Sequence, residues 1–464
     1  MTWEPVVGLE IHVQLKTRTK MFCRCATGFG EPQNARTCPV CLAHPGALPG
    51  PNRTAVEWTI RLGHALGCTI AERALFHRKN YFYPDNPKGY QISQYDEPLC
   101  VGGRVAVPSE DGAFEVGIVR AHLEEDAAKT VHRGGGTGRK VGAERSLIDF
   151  NRAGTPLVEI VTRPDLRSAE QARRFLQLLR QTIVELGISD ARMEEGTLRC
   201  DANVSVRPAG SDELRTRWEL KNLNSFAFIG RGIDAAVRAQ VALYEAGEPV
   251  EQETYDYEPE TDTLTPHRSK EEAEDYRYFP EPDLVPLAPE PELVRRLRAE
   301  LPELPGARIA RHAQALGHAD AWAIVTTERD GVYAALVEHG VAPREAFNVA
   351  MNQPIPVGAN IAELARVVKA SRELTREALQ RAVEASADPG FSADAYLGEV
   401  AIADPAELEP LVERVLAANP TQVASYRSGK EGVLGFFVGQ VMRETGGKAN
   451  PKVVNELLRE KLRA

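Results

Sequence analysis

The 464-residue sequence lacks any apolar run approaching the roughly 18 residues that a membrane helix needs. It also lacks an N-terminal basic stretch followed by an apolar segment, so it carries no pattern of a secretory signal. We therefore expect a soluble, cytoplasmic protein with no membrane partner, whose seven cysteines stay reduced or bind metal. Positive charge is not in excess either. The 56 basic and 66 acidic side chains leave a net charge of −10, which excludes an overall basic coat for nucleic acid but leaves a local basic patch open.

The length predicts roughly three domains. Apolar and polar residues alternate from Val7 to Leu15, which is the period-2 pattern of a half-buried strand. Further strands are predicted at 104–107, 114–123, 157–162, 198–206 and 216–221, with an Asp111-Gly112 turn joining the second and third strands of the set. Two helices are predicted between them, one opened by Ser168 in a capping-box pattern with Gln171, the other opened by Ser225 and ended by Gly247.

Proline punctuates the second half of the chain. Five prolines between Pro280 and Pro291 remove backbone donors and block helix continuation, so a domain boundary is predicted near residue 290. Helical patterns follow, with a second break around Ala403-Asp404-Pro405. The predicted fold class is therefore α+β. A mixed α/β domain with a large β-sheet (1–290) precedes an all-helical domain (291–403) and a small helical tail domain (404–464).

Four cysteines form two close pairs: Cys23 with Cys25, and Cys38 with Cys41. Two thiolate pairs on separate turns match tetrahedral zinc, and four thiolates leave no open position, so the sequence predicts a structural zinc site inserted at 23–41. The alternative is a loop with four reduced cysteines. Cys68, Cys100 and Cys200 are interpreted as small core residues.

Polar side chains share one face on each of four predicted strands. Solvent exposure could explain each face singly. Short carboxylates, an amide and imidazole dominate the set, however, and hard oxygen ligands with one imidazole suit Mg²⁺, which typically enters with a nucleotide phosphate. We therefore predict a site for magnesium and ATP. The four groups are Glu10, His12 and Gln14; Asp201, Asn203 and Ser205; Glu219 and Lys221; and Arg120, His122 and Glu124.

The segment 78–88 joins aromatic and basic residues with turn formers. Its lysines, Lys79 and Lys88, would neutralise phosphate, and Tyr81 and Tyr83 would stack on a base. A proline-rigidified surface loop with buried rings is an equal alternative. The Gly-rich stretch 134–140 lacks the order of a P-loop and is predicted to be a flexible hairpin loop. No Gly-x-Ser-x-Gly elbow or serine-rich amidase signature is present, so the chain is not expected to hydrolyse amides.

The last 39 residues hold eight basic against four acidic side chains, a net charge of +4 in an acidic chain. Such a tail could meet a phosphate backbone, although a solvated pair of terminal helices explains the same charges.

Eight long stretches closely resemble the family of B subunits of the aspartyl/glutamyl-tRNA amidotransferase. They cover both ends and most of the first predicted domain. In this sequence they are VGLEIHVQLKTRTKMF (7–22), RKNYFYPDNPKGYQISQYDEPL (78–99), HLEEDAAK (122–129), DFNRAGTPLVEIVTRPD (149–165), MEEGTLRCDANVSVRP (193–208), ELKNLNSF (219–226), DYRYFPEPDL (275–284) and GFFVGQVMRETGGKANPKVVNELL (435–458). Against this pattern, the Gly-rich loop 133–139 looks like an insertion.

The resemblance implies a cradle domain with an ATP- and Mg²⁺-dependent kinase site, then a helical domain and a YqeY-like tail that grip tRNA. It implies that the side-chain carboxylate of Glu-tRNA(Gln) or Asp-tRNA(Asn) is phosphorylated by ATP and that ammonia then displaces the phosphate. Our hypothesis places five residues around the metal and phosphates, with Glu10, His12 and Glu124 as magnesium ligands. Three more are candidates for substrate handling and ammonia delivery. The two sets are Glu10, His12, Glu124, Asp201 and Glu219, and Lys79, Lys88 and Glu125.

The resemblance also implies partners: an amidase subunit that supplies ammonia, a small third subunit of the amidotransferase, the mischarged tRNA and a non-discriminating aminoacyl-tRNA synthetase. Asn203, Ser205 and Lys221 join the tyrosines and lysines of 78–88 as expected nucleotide-binding residues. Two other functions stay open: a non-catalytic, zinc-containing tRNA-binding scaffold, and an unrelated ATP-dependent ligase acting on a small acid. The sequence does not decide between Asp-tRNA and Glu-tRNA as substrate.

Overall fold

A computed structural model of the chain describes residues 2–28, 30–134, 142–268 and 276–463. It divides into two compact units, residues 1–308 and 309–464. The predicted Gly-rich hairpin loop lies, from residue 135, outside the described residues. Within the described ranges, none of the helices combines the length and apolar character that a membrane span requires.

The first unit is built on β-strands with four helices of its own. The strands are β1 (Trp3–Gln14), β2 (Thr69–Ile70), β3 (His77–Asn80), β4 (Tyr90–Ser93), β5 (Cys100–Val101), β6 (Arg104–Ser109), β7 (Gly112–Glu125), β8 (Lys129–Arg133), β9 (Arg145–Asp149), β10 (Pro156–Thr162), β11 (Leu198–Pro208), β12 (Trp218–Lys221), β13 (Thr254–Glu258), β14 (Thr263–Arg268) and β15 (Phe279–Pro280). The helices are α1 (Arg53–Ala65), α2 (Ala169–Glu185), α3 (Phe226–Ala246) and α4 (Pro291–Ala299).

The large sheet runs in the order β14-β13-β12-β11-β1-β10-β7-β5-β2, with β6 paired to β7. Its neighbours are antiparallel except for β12 and β13, which are parallel. A smaller sheet has the order β15-β3-β4, and β8 and β9 form a separate two-stranded ribbon. The predicted α+β fold class is confirmed.

The alternation seen in the sequence of β1 sets the two faces of the sheet. Leu9, Ile11 and Val13 are buried on one face, and helix α3 covers the neighbouring strand β11 on that side, where Gln240 donates a hydrogen bond to the carbonyl of Val204 (2.9 Å). The residues between them point to the other face. The polar residues of β1 and β11 therefore share one surface, as their spacing predicted.

Both predicted helices form with the expected caps. The Ser168 hydroxyl accepts from the Gln171 amide (3.1 Å), and the Gln171 side chain accepts in return from the Arg167 amide (2.8 Å). Helix α3 ends at Gly247, whose φ of 76° is the left-handed conformation that glycine adopts without a Cβ clash.

Two local predictions need adjustment. The hairpin between β6 and β7 turns at Glu110-Asp111, one residue earlier than predicted, because Gly112 already pairs with Ser109 as the first residue of β7. The segment 78–88 is only partly a loop, since β3 and β4 pair across it with Lys79 opposite Gln91.

The second unit is helical. Its helices, counted from the one that spans the division, are α5 (Pro305–Leu316), α6 (His318–Thr326), α7 (Asp330–Glu338), α8 (Pro343–Asn352), α9 (Ile361–Lys369), α10 (Arg376–Ala385), α11 (Pro405–Ala418), α12 (Pro420–Arg427), α13 (Leu434–Glu444) and α14 (Pro451–Arg463). One apolar cluster centres on Val367 and Ala382, and another on Val412 and Phe437. The predicted domain boundaries near 290 and 403 stay predictions.

Candidate functional site

One face of the large sheet carries polar side chains across adjacent strands. The register puts Glu10 of β1 opposite Asp201 of β11, and His12 of β1 opposite Glu159 of β10. On the far side of β10, Glu159 also pairs with His122 of β7. Because directly paired residues of antiparallel strands project to the same face, these groups line one continuous surface.

Two histidines and two glutamates meet at the centre of this surface. The His12 Nε2 lies 3.8 Å from Glu124 and 3.6 Å from Glu159, and the His122 Nε2 lies 3.4 Å from Glu159 and 3.9 Å from Glu124. Ligand atoms of His12, Glu124 and Glu159 all lie within 4.8 Å of one another. Such a set of imidazole and carboxylate groups can hold a divalent cation.

The electrostatics of this cluster favour an ion pair. Burial on its own lowers the pKa of His12, but Glu159 and Glu124 beside the ring outweigh burial and raise that pKa. Burial pushes the pKa of Glu159 upward, yet His122 and His12 together hold it well below its usual value. In the absence of a cation, protons on imidazole therefore balance the carboxylates, and a bound cation would take over that role.

A second group of charges lies on β11 and β12. The Lys221 ammonium lies 2.7 Å from Asp201 and 3.1 Å from Glu219, and the Asn203 amide donates to Glu10 (2.9 Å). Burial on its own lowers the pKa of Lys221, but the two carboxylates outweigh it and raise that pKa, so the lysine keeps its charge. Lysine thus neutralises two of the carboxylates predicted to bind metal.

Asp126 anchors a third group at the end of β7. It lies 3.1 Å from Arg199 and 3.7 Å from Arg152, and it accepts a hydrogen bond from Gln14. Burial raises the pKa of Asp126, but the two guanidinium groups outweigh burial and lower it. Since Gln14 and His12 share a face of β1, this network adjoins the histidine–glutamate cluster.

Aromatic rings adjoin the polar surface from β3, β4 and the segment before β15. The Lys79 ammonium lies 4.5 Å from the centre of the Tyr276 ring, and Tyr95 stacks on Tyr278 with centroids 4.3 Å apart. Burial, followed by the nearby charge of Glu124, raises the pKa of both Tyr81 and Tyr278, so these phenols stay protonated near the cluster.

Lys88 and Glu125 form a buried ion pair, and Glu125 also accepts from the Ile92 amide (3.0 Å). They form part of the lining of a cavity of about 240 Å³ whose opposite residues include Phe22 and Cys41. The pair therefore separates the polar surface from the cysteine loop.

The four predicted cysteines come together. Their sulfur atoms all lie within 4.8 Å of one another, close to the roughly 3.8 Å that tetrahedral Zn–S bonds of about 2.3 Å impose. Interaction with Cys23, followed by the Cys38 amide and the Lys20 charge, outweighs burial and lowers the pKa of Cys41 to about 4. The Lys20 ammonium lies 3.6 Å from the Cys41 sulfur, so this donor set fits a metal cation.

Comparison with known proteins agrees with this geometry. Residues 5–295 match the family model described as the GatB/GatE catalytic domain, and residues 345–462 match the one described as the GatB domain. Among curated relatives, the aspartyl/glutamyl-tRNA(Asn/Gln) amidotransferase B subunit of Anaeromyxobacter dehalogenans (strain 2CP-1) is 48% identical, with 99% of each chain covered. The chain belongs to this B-subunit family. The proteins of the same name from Syntrophotalea carbinolica and Geotalea uraniireducens are 46% and 44% identical, the first covering 99% of this chain and 98% of the relative, and the second covering 100% of both.

The structure distributes the predicted residues over neighbouring groups of this B-subunit fold. His12 and Glu124 lie in the histidine–glutamate cluster, whereas Glu10, Asp201, Asn203, Glu219 and Lys221 lie beside it on β1, β11 and β12. Ser205 is occupied differently, because its hydroxyl faces the Val6 carbonyl at 3.4 Å. Tyr83 lies further out and is 47% exposed.

Sequence reasoning missed Glu159, Asp126 and Tyr278. Glu159 was readable as the one charged residue of the predicted strand 157–162, and a charge within an apolar strand needs a buried partner. Tyr278 gave no such signal, because its position depends on how β15 pairs with β3.

Proposed function

We propose that this chain carries the ligase reaction of a tRNA-dependent amidotransferase. In this proposal it uses ATP to phosphorylate the side-chain carboxylate of Glu-tRNA(Gln) or Asp-tRNA(Asn), and ammonia then displaces the phosphate. A carboxylate is a poor electrophile, and conversion to an acyl phosphate supplies a leaving group for nitrogen. The substrate pair is taken from the printed name of the relatives.

The observation that carries the proposal is the cluster of His12, Glu124 and Glu159 on a surface shared with Lys221 and Arg199. Phosphoryl transfer between two anions needs positioning and charge neutralisation more than covalent help from the protein. The cluster supplies a cation site, and the two basic side chains supply fixed positive charge on either side of it.

Magnesium bound at this cluster would neutralise phosphate charge. Oxygen ligands are also available nearby, because Asn203 Oδ1 is buried with no hydrogen-bond partner in the described part of the chain. Glu10 fixes the Asn203 amide by accepting from its nitrogen, which leaves the amide oxygen directed away from Glu10. Lys79, Tyr81 and the other residues of 78–88 are proposed to hold the nucleotide and the charged 3′ end.

Ammonia is proposed to come from a partner amidase subunit, joined in the complex by a small third subunit. Ammonium in bulk water is largely protonated and not nucleophilic, so delivery needs a closed route. The buried Lys88–Glu125 pair is the proposed point of control, because it lies between a cavity and the carboxylates of the polar surface. The four cysteines are proposed to hold a structural zinc ion, and the basic tail to contact tRNA.

The test is amidation by the purified full-length chain with ATP, magnesium and an ammonium salt, on both mischarged tRNAs. We expect wild-type activity with ammonium and none with glutamine alone. Glu124→Ala should lose activity at least about 100-fold, a loss of the size expected when a metal ligand at the reaction centre is removed. Glu115→Ala is the matched control, because Glu115 is an exposed residue of the same strand that pairs with Arg104.

Full amidation by Glu124→Ala, or use of glutamine by the isolated chain, would contradict the proposal. Magnesium-dependent ATP binding separates it from the scaffold alternative. A scaffold would bind tRNA but would not bind the nucleotide.

A further inference from the structure

The ribbon of β8 and β9 presents a cationic face. The register pairs Lys129 with Asp149, Val131 with Leu147, and Arg133 with Arg145. Paired residues at alternate positions share a face, so these six side chains form one surface of the ribbon. Leu147 on this face is 50% exposed. The ribbon therefore combines basic heads with exposed aliphatic side chains.

Arg133 and Arg145 lie directly opposite each other, and both are exposed. Like charges opposed across antiparallel strands destabilise the pairing. In the described part of the chain no acidic side chain forms an ion pair with Arg133, Arg145 or Lys129. Asp149 does not compensate, because it accepts hydrogen bonds from the amides of Asn34 and Asn151. This arrangement calls for an anion from outside the chain.

A basin of about 440 Å³ opens at the foot of the same ribbon, with Lys129 and Asp149 in its lining. Its other basic residues are Lys16, Arg18 and Arg152. Lys16 is paired with Asp190 (3.1 Å), whereas Arg18 is exposed and has no ion-pair partner among the described residues. Four basic side chains thus surround one depression in a protein whose net charge is −10.

The basin leads toward the candidate reaction centre. Its inner wall includes Gln14, which donates to Asp126 and lies two residues beyond His12 on the same face of β1. Two residues of a strand span about 7 Å. The ribbon, the basin and the histidine–glutamate cluster therefore follow one another along one side of the sheet.

We propose that the β8–β9 ribbon and this basin bind the acceptor end of the aminoacyl-tRNA. Arg133 and Arg145 contact backbone phosphates of the stem, and the basin admits the single-stranded 3′ end toward His12. This inference rests on the proposed function, since it assigns an entry route to that substrate. RNA fits better than an acidic protein, because the depression ends beside the cluster where the esterified amino acid must arrive.

The test measures binding of the full-length chain to a hairpin RNA that reproduces an acceptor stem with a CCA end, across a range of salt concentrations. The variant is Arg133→Gln/Arg145→Gln. Each lost phosphate contact should lower the slope of log K against log salt by about 0.7–0.9, so the double variant should lose about 1.5–2 in slope and about 10-fold or more in affinity at 0.1 M salt. Arg133→Lys/Arg145→Lys should keep most of the binding, because a lysine still neutralises phosphate as a point charge.

The matched control is Arg53→Gln/Arg104→Gln. It makes the same change in net charge at two exposed arginines that are each paired with a glutamate, Glu57 and Glu115. The control should bind the hairpin as wild type does. Thermal stability of the ribbon variant should be unchanged or slightly raised, because the opposed charges are gone.

Unchanged RNA binding by the ribbon variant would overturn the proposal. So would intact RNA binding with lost association of the amidase partner, which would make the ribbon a protein interface. Both outcomes leave the proposed function standing if the ribbon variant still amidates charged tRNA with ammonium and an unchanged KM. Absence of wild-type amidation would remove the proposed function, whatever the ribbon binds.

Discussion

The Nε2 of His12 lies 3.6 Å from a carboxylate oxygen of Glu159, across the pair formed by β1 and β10. The two residues come from segments almost 150 positions apart. Glu159 in turn faces His122 on the next strand at 3.4 Å. One carboxylate therefore bridges two imidazoles, and it shifts the pKa of His12 upward against the effect of burial.

Replacing this bridge should weaken cation binding. Glu159→Gln keeps the shape of the side chain but removes its charge, and we expect Mn²⁺ or Mg²⁺ affinity to fall at least about 10-fold, the loss typical of even an outer-shell partner. In the wild-type protein, protonated His12 competes with the cation, so affinity should rise as pH increases through the raised pKa of His12. In the variant burial dominates, and the rise should move to lower pH.

Calorimetric titration with Mn²⁺ between about pH 6 and pH 8 measures both effects around the usual range of histidine. Glu115→Gln, an exposed change on β7, is the control and should bind as wild type does. Equal affinity in Glu159→Gln at every pH would remove Glu159 from the cation site.

A second prediction concerns pH and stability at Asp126. Its folded pKa is depressed because Arg199 and Arg152 outweigh burial, so its contribution is present above the unfolded carboxyl pKa of about 3.9 and is lost as pH falls through the lower folded value. Asp126→Asn should cost about 1–3 kcal/mol near neutral pH, the range of hydrogen bonds to charged groups. The difference from wild type should shrink below about pH 4.

Denaturation with urea at several pH values checks this expectation. The control is Asp212→Asn, an exposed carboxylate in the loop after β11, which should leave stability unchanged. A difference between Asp126→Asn and wild type that persists undiminished in acid would contradict the linkage to this ion pair.

Part of this site was predictable because strand alternation is local. The period of β1 placed His12 on the polar face, and that of β7 did the same for Glu124. Strand order is not local: β10 lies between β1 and β7, so Glu159 completes the cluster from a strand that reads as almost wholly apolar. For the same reason the alternation could not show that Lys221 neutralises Asp201 and Glu219.

The cysteine site was more predictable, since its ligands are close in sequence. The first pair lies on a turn closed by the bridge between Thr19 and Ala26, and the second on a turn where the Leu42 amide donates to the Cys38 carbonyl (3.0 Å). The sequence did not indicate that Lys20 is fully buried beside the sulfurs. Its charge offsets the excess negative charge that four thiolates carry against a divalent cation.

The third prediction is metal content. Cys41→Ser should remove about one zinc ion per chain and lower the temperature of unfolding, because structural zinc contributes directly to folding. Cys68→Ala is the control, since Cys68 is buried outside the cluster and should leave the metal in place. Elemental analysis of both purified variants and thermal scans with and without a chelator measure the effect. Full zinc occupancy in Cys41→Ser would refute the four-thiolate site.

The last prediction tests packing between α1 and the edge of the large sheet. A Cβ on Gly63 would lie 2.5 Å from the Cys100 sulfur and 2.9 Å from Ile70 Cδ1, and the sulfur belongs to a fully buried residue. Gly63→Ala should therefore destabilise the first unit by about 1–3 kcal/mol, the usual cost of overpacking. Gly230→Ala should do the opposite. A Cβ there meets no atom within 4 Å in the interior of α3, so removing glycine should stabilise by up to about 1 kcal/mol.

Tryptophan fluorescence during urea denaturation reports this unit selectively, because three of the four tryptophans, Trp3, Trp58 and Trp218, lie within residues 1–308. The two variants change the same residue type in two helices of the same unit, so each serves as the control for the other. Only the space around the added methyl group and its burial differ between them. Equal shifts of the unfolding midpoint in the same direction would mean that helix propensity, and not the contact of α1 with Cys100, sets the stability at Gly63.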